Sequence, residues 1–169
     1  RYLMREGMVA SSPTASTSSP RLDRRLPTFL TRQEIERLLK APDPGTPQGQ
    51  RDGAMLELLY ASGLRVSELV RLNLEQVYLD SRELRIWGKG DKERIVLMGE
   101  PAARALNNYL KQGRPRLLAK KKGNTVFLNR YGERLSERGV QKILGTYAKL
   151  AGIEKRVHPH LLRHTFATH

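Results

Sequence analysis

The sequence predicts a mainly α-helical fold with one small antiparallel β-sheet, an α+β class. Past Leu26, apolar residues recur at three- and four-residue spacing, and most of these stretches open on capping residues and close on glycine or proline. The period shortens to two only in SRELRIWGKGDKERIVLMG, residues 81–99, where two apolar-rich arms flank a Gly-Lys-Gly-Asp turn. No segment repeats another.

The first helix lies in LTRQEIERLLKAP. Thr31 and Glu34 have capping-box spacing, Ile35, Leu38 and Leu39 form an apolar face, and Pro42 and Pro44 stop it. RDGAMLELLYASG reads as a buried helix through Met55, Leu56, Leu58 and Leu59 that ends at Gly63, and VSELVRL as a short helix after it. In the hairpin, Leu84 and Ile86 alternate with charged residues on one arm, while Ile95 and Leu97 share a face of the other. AARALNNYLKQG is helical and TVFLN a short strand or extended piece. LSERGVQKILGTYAKLAG is a helix capped by Ser136 and Gly152, with a stripe of Val140, Ile143, Leu144 and Tyr147. A last helix starts after Pro159, its Leu162 and Phe166 expected in the core.

Charge is the strongest bulk property. Lys and Arg outnumber Asp and Glu 31 to 17, for a net charge of +14 and a pI near 10.5. Such an excess favours a polyanion, most often nucleic acid. With only 6% aromatic residues, phosphate contact with duplex DNA is favoured over a base-stacking single-strand platform. There is no cysteine, which excludes disulfides, thiolate zinc sites and cysteine nucleophiles and fits a cytoplasmic protein. No apolar run approaches the ~20 residues of a membrane span, so no membrane partner is expected. The chain opens on RYLMREGMV, without an initiating methionine or a signal peptide, and reads as a piece of a longer protein. Residues 1–9 are expected to end a preceding helical domain, 10–25 to form a Ser/Thr/Pro-rich linker, and 26–169 to form the main domain.

All four histidines fall in HPHLLRHTFATH, residues 158–169, around Arg163. On a helix His160 and Arg163 share a face. Three readings compete. His160 and His164 have metal-ligand spacing, but no acidic residue accompanies them and Arg163 repels a cation. The histidines can also simply decorate a helix surface. In the third reading Arg163 grips a phosphate with its planar fork while His160 handles a proton beside it. Upstream, Arg65 follows a glycine-ended helix and Glu68 is placed to hold its guanidinium; the bland alternative is a surface ion pair worth ~0.2–0.5 kcal/mol. ASGLRVSEL also has the look of a helix-turn-helix DNA reader, the main rival for the function of the chain. Lys89 sits between two glycines at the hairpin tip, where a lysine can reach a bound backbone or merely face solvent.

Taken in order, the Arg-x-x-Glu, the hairpin lysine and the His-x-x-Arg resemble the catalytic domain of the tyrosine site-specific recombinases, the phage integrase family, and the Xer group most closely. The likeness rests on LTRQEIERLLKAP, RDGAMLELLYASGLRVSELVRL, GKGDKERIV and HPHLLRHTFATH. It implies strand exchange on duplex DNA: a tyrosine hydroxyl attacks a backbone phosphate, leaving a 3′-phosphotyrosine and a free 5′-hydroxyl, with neither cofactor nor metal. Carried over, Arg65 and Arg163 clamp the non-bridging oxygens, Lys89 is the general acid, His160 the proton-handling histidine and Glu68 a supporting acid. The family's further His or Trp and its tyrosine nucleophile lie beyond the His-x-x-Arg helix. The six tyrosines here are Tyr2, Tyr60, Tyr78, Tyr109, Tyr131 and Tyr147, and none matches that position. The expectation is therefore a catalytic domain cut off before its nucleophile, able to bind DNA but not to cleave it. The resemblance further implies tetramers of the parent protein on DNA and a chain that is monomeric without it.

Overall fold

The computed structural model describes residues 29–88 and 92–168. The expected domain end at residues 1–9, the linker at 10–25 and Lys89 lie outside them. Seven α-helices and a three-stranded sheet are found among those described. Helix α1 (Arg32–Lys40) starts on the expected capping box: Glu34 N–H donates to Thr31 Oγ1 at 3.2 Å and Thr31 N–H to Glu34 Oε2 at 2.7 Å. Its Ile35 and Leu38 are buried.

Helix α2 (Pro47–Ser62) is the axis of the core, with Met55, Leu56, Leu58 and Leu59 buried. It begins four residues before the predicted Arg51, because Thr46 caps it by accepting from Gly49 N–H at 3.0 Å and Pro47 occupies the first turn, where no donor is needed. Gly63 ends it in the left-handed conformation, with φ 58° and ψ 27°. Helix α3 (Val66–Arg71) follows at once.

The sheet runs β1 (Val77–Tyr78), β2 (Glu83–Trp87), β3 (Glu93–Leu97), all antiparallel. Strand β1 has only two residues, too short to show a period in the sequence. Opposite pairs fix the faces: Leu84 lies against Val96 and Ile86 against Arg94. Leu84, Ile86 and Val96 are buried, whereas Ile95 and Leu97 do share a face, but the solvent-exposed one.

Helix α4 (Glu100–Asn108) continues through a wide π turn (Tyr109–Gly113) into α5 (Arg114–Leu118). Pro115 lacks the N–H that a regular turn would need, and the wider turn accommodates it. TVFLN forms no strand of the sheet: Val126 and Phe127 lie in bends between isolated bridges from Asn73 to Thr125 and from Leu128 to Arg134. Helix α6 (Glu137–Leu150) opens on Ser136, whose Oγ accepts from Gly139 N–H at 3.0 Å, and Gly152 follows it at φ 64°. Helix α7 (Pro159–Thr168) packs on α2. Leu162 is buried as expected, but Phe166 is 44% exposed, a correction to its placement in the core: its ring covers Gly63 at the mouth of the α2–α3 turn instead. No helix among the described residues is long and apolar enough to cross a membrane.

Candidate active site

The described candidate residues lie at the α2–α3 turn, on α3 and on α7; β3 reaches α3 through Arg94, and α7 reaches the turn through Phe166. At the turn, Gly63 reverses the chain, Leu64 buries its side chain, and Arg65 emerges as the residue before α3. Arg65 backbone N–H donates to Glu68 Oε2 at 2.8 Å, and its Nη1 to Glu68 Oε1 at 3.2 Å. The Arg65 side chain is nonetheless 60% exposed while that of Glu68 is 9% exposed. Arg65 therefore projects into a cleft of about 810 Å³ that Arg71, Asn73, Trp87 and Gly88 also line.

Glu68 receives a further donor that the sequence reading missed: Arg94 Nη2 on β3, at 2.8 Å from Oε2. Burial would raise the pKa of Glu68. The hydrogen bonds from Arg94 and the Arg65 backbone, with the charge of Arg94, overcome it and hold the carboxyl below the ordinary range. The i, i+3 spacing gave away the Arg65–Glu68 pair, but nothing in the sequence signals a partner 26 residues downstream. Lys89 itself lies outside the described residues. Its neighbour Gly88 lines the Arg65 cleft and closes the hairpin by donating to Lys92 C=O at 2.9 Å.

On the other side, Pro159 sits at the start of α7 and His158 caps it, Nδ1 accepting from Leu161 N–H at 3.2 Å. Burial, then the neighbouring His160 and Arg156, push the His158 pKa below its ordinary value. His160 is exposed and its ring lies 6.3 Å from that of His158. It borders a second cleft, of about 600 Å³, which also includes Val66, Lys149, Lys155 and Arg156. Arg65 lines the first cleft and the adjacent Val66 the second, so the start of α3 divides the two.

Arg163 is half-buried, and its Nη1 is fully buried without a hydrogen-bond partner. Phe166, one turn further along α7, lies against Gly63, two residues before Arg65. The fold thus brings α7 and the Arg65 turn together. Helix α7 is tied in from the opposite direction too: Thr165 Oγ1 accepts from Leu30 N–H at 3.1 Å and donates to Leu161 C=O at 2.8 Å. Lys155 Nζ bonds Glu34 Oε2 at 2.8 Å and Phe29 C=O at 3.2 Å, which fixes the segment leading to His158.

Among the described residues no three His, Asp or Glu side chains converge, and His169 lies outside them. A cationic surface with an unsatisfied guanidinium suits an anion instead. Four of the tyrosines are engaged elsewhere. Tyr109 Oη donates to Val126 C=O at 3.0 Å and Tyr147 Oη to Asp52 Oδ2 at 3.0 Å. Burial above all pushes both hydroxyls up to about 12. Tyr78 lies under the Arg85 guanidinium and Tyr131 under that of Arg130.

A family model described as "Phage integrase family" matches residues 28–169. Among curated proteins, Tyrosine recombinase XerC of Pelotomaculum thermopropionicum is 48% identical over 173 residues, spanning 100% of this chain and 56% of its own length. Tyrosine recombinase XerD of Pseudomonas putida is 47% identical over 169 residues, with 100% and 57% covered. Of solved structures, the XerA recombinase crystal structure superposes with a TM-score of 0.73 at 32% identity, covering 84% of this chain and 50% of that one. XerH bound to difH substrate in a pre-cleavage complex gives a TM-score of 0.71 at 27% identity, covering 85% and 42%. The chain spans little more than half the length of the curated relatives it matches.

Proposed function

This chain belongs to the phage integrase family, and on that premise we propose that it carries the phosphate-gripping part of a site-specific recombinase that cuts and rejoins duplex DNA through a 3′-phosphotyrosine. One observation carries the reading: Arg163 Nη1 is buried with no acceptor. A buried donor left unpaired costs about 1–3 kcal/mol, more when charged. A non-bridging phosphate oxygen is the acceptor this position lacks.

Arg163 and Arg65 hold the scissile phosphate between them. As the attacking oxygen adds, charge builds on the equatorial oxygens, and two guanidiniums already in place stabilise it without reorganising. Each such donor is worth about 3–4 kcal/mol of barrier. Glu68 keeps Arg65 in position, and His160 handles a proton at the phosphate. Lys89 is the acid that protonates the departing 5′-oxygen, a role open to lysine because its proton is mobile where that of arginine is not. The ester to tyrosine conserves the phosphodiester energy, so the step needs neither metal nor nucleotide cofactor. The attacking hydroxyl is not that of Tyr109 or Tyr147, whose buried, hydrogen-bonded hydroxyls resist ionisation. The working assembly is a tetramer on two duplexes, and this chain alone is monomeric. The helix-turn-helix alternative is not favoured: α3 has only six residues, and Leu69 and Val70 among them are buried.

The test is duplex binding as a function of salt. Affinity should fall steeply, log K changing by about −0.9 per phosphate neutralised for each unit of log salt. Arg163→Met should make the slope shallower by about that amount. A flat salt response, or an Arg163→Met chain with an unchanged slope, overturns the clamp. An adduct with DNA that survives detergent overturns the placing of the nucleophile outside these tyrosines.

A further inference from the structure

We propose that Arg94 is a positioning residue of this site: acting through Glu68, it keeps the Arg65 guanidinium turned outward to the phosphate and anchors β3 at its end nearest the hairpin turn. The inference rests on the reading of Arg65 as a phosphate clamp.

Arg94 pairs with Ile86 across the hairpin, so its side chain leaves the sheet on the face of Ile86 and Val96, the buried one. It is the last residue on that face of β3 before the tip. From there Nη2 reaches Glu68 at 2.8 Å. Glu68 then holds three donors from two elements: Arg94 Nη2 and Arg65 N–H on Oε2, and Arg65 Nη1 on Oε1. The arrangement joins strand β3, one arm of the hairpin, to Arg65, the residue before α3.

The ion pair has little to offer as plain stabilisation. Arg94 is 41% exposed, and pairs open to solvent contribute little. An apolar contact of the same size would tie hairpin to helix about as well. What an apolar residue cannot do is occupy Glu68. A carboxylate draws a lone guanidinium into a two-pronged grip. With Arg94 on Oε2, Arg65 keeps only its Nη1 on the carboxylate and most of its fork faces the cleft. Without Arg94, the free carboxylate lone pairs pull Arg65 inward, away from the phosphate. The balance of charge points the same way: two guanidiniums and one carboxylate leave the group cationic, as an anion site requires.

The experiment uses the 169-residue chain, a short random-sequence DNA duplex and the variants Arg94→Met, Arg94→Lys, Arg65→Met and the Arg65→Met/Arg94→Met double. Methionine preserves the packing of the arginine stem and lysine preserves its charge. Two readouts are taken: carboxyl NMR titration of Glu68 without DNA, and the salt dependence of duplex binding. Arg94→Met should raise the Glu68 midpoint, weaken binding about tenfold and make the salt slope shallower by about 0.9, although Arg94 touches no phosphate. The double variant should bind no more weakly than Arg65→Met alone, because Arg94 acts through Arg65. Arg94→Lys should restore the Glu68 midpoint and part of the affinity. A Glu68 midpoint unmoved in Arg94→Met overturns the proposal, as do losses that add in the double variant, which would mean that Arg94 grips phosphate itself. A slope unmoved by Arg65→Met refutes the phosphate clamp instead, and the Glu68 titration still decides whether Arg94 controls that carboxylate.

Discussion

Gly63→Ala tests whether the turn between α2 and α3 sets the geometry of the site. Gly63 has φ 58°, in the left-handed region, where a side chain costs about 1–2 kcal/mol. The added Cβ would also stand 2.9 Å from Phe166 Cδ1 and 3.2 Å from Cε1, closer than ordinary van der Waals contact. Phe166 is 44% exposed and can swing outward, so the clash adds about 1 kcal/mol rather than the full cost of overpacking a closed core. The total is about 2–3 kcal/mol of stability. Urea unfolding measures it, and the Gly63→Ala/Phe166→Ala double variant separates its parts. Removing the ring should recover the clash and leave the backbone penalty. The same displacement reaches function, because Phe166 and Arg163 are one turn apart on α7: duplex affinity should drop in Gly63→Ala and return in the double variant. A Gly63→Ala chain within about 0.5 kcal/mol of the parent, or a double variant no more stable than Gly63→Ala, refutes the account of the turn.

Two further predictions concern the supports of the site. Tyr147→Phe removes the donor to Asp52 Oδ2, on a carboxylate only 6% exposed in its ion pair with Arg51, and should cost about 1–3 kcal/mol in urea unfolding; a change below about 0.5 kcal/mol would show the bond to be dispensable. His158 caps α7 with a neutral Nδ1, and burial, with the neighbouring His160 and Arg156, depresses its pKa in the fold. Folding therefore favours the neutral ring. The stability this contributes is present above the ordinary histidine pKa of 6.5 and is lost as pH falls through the lower folded value. His158→Asn keeps a capping acceptor that does not titrate, so the variant should lose less stability than the parent on acidification below 6.5; identical pH profiles would count against the cap.

Most of the helices could be read from the sequence because their signals are local. The Thr31–Glu34 box, the Ser136 cap and the Gly63 stop each depend on residues within a turn of one another. The hairpin was legible for the same reason, from its turn and its alternation. Which face of β3 would be buried was not: Ile95 and Leu97 are the more apolar pair by count, yet Val96 faces the core, because register with Leu84 decides the side. Phe166 was misplaced for a related reason. Helical spacing puts it with Leu162, but α7 ends against a glycine turn rather than inside the core.

The arginines show where sequence reading stops. In a very basic chain Arg51 and Arg114 are buried, Arg163 is half-buried and Arg134 is exposed, yet each is fixed by the fold. Arg51 is saturated by Asp52 at 2.7 Å and by Leu128 C=O at 2.8 Å. Arg114 takes the carbonyls of Thr125 and Gly123, and Arg134 takes Val70 C=O and Asn73 Oδ1. Each of these three ends a stretch of backbone that would otherwise leave carbonyls unpaired, and so each is structural. Arg163 is held as firmly by its helix but keeps a buried Nη1 with no acceptor. The family motif singles out Arg163 by its spacing from His160, and under the proposed function the acceptor for its unpaired nitrogen is a phosphate oxygen.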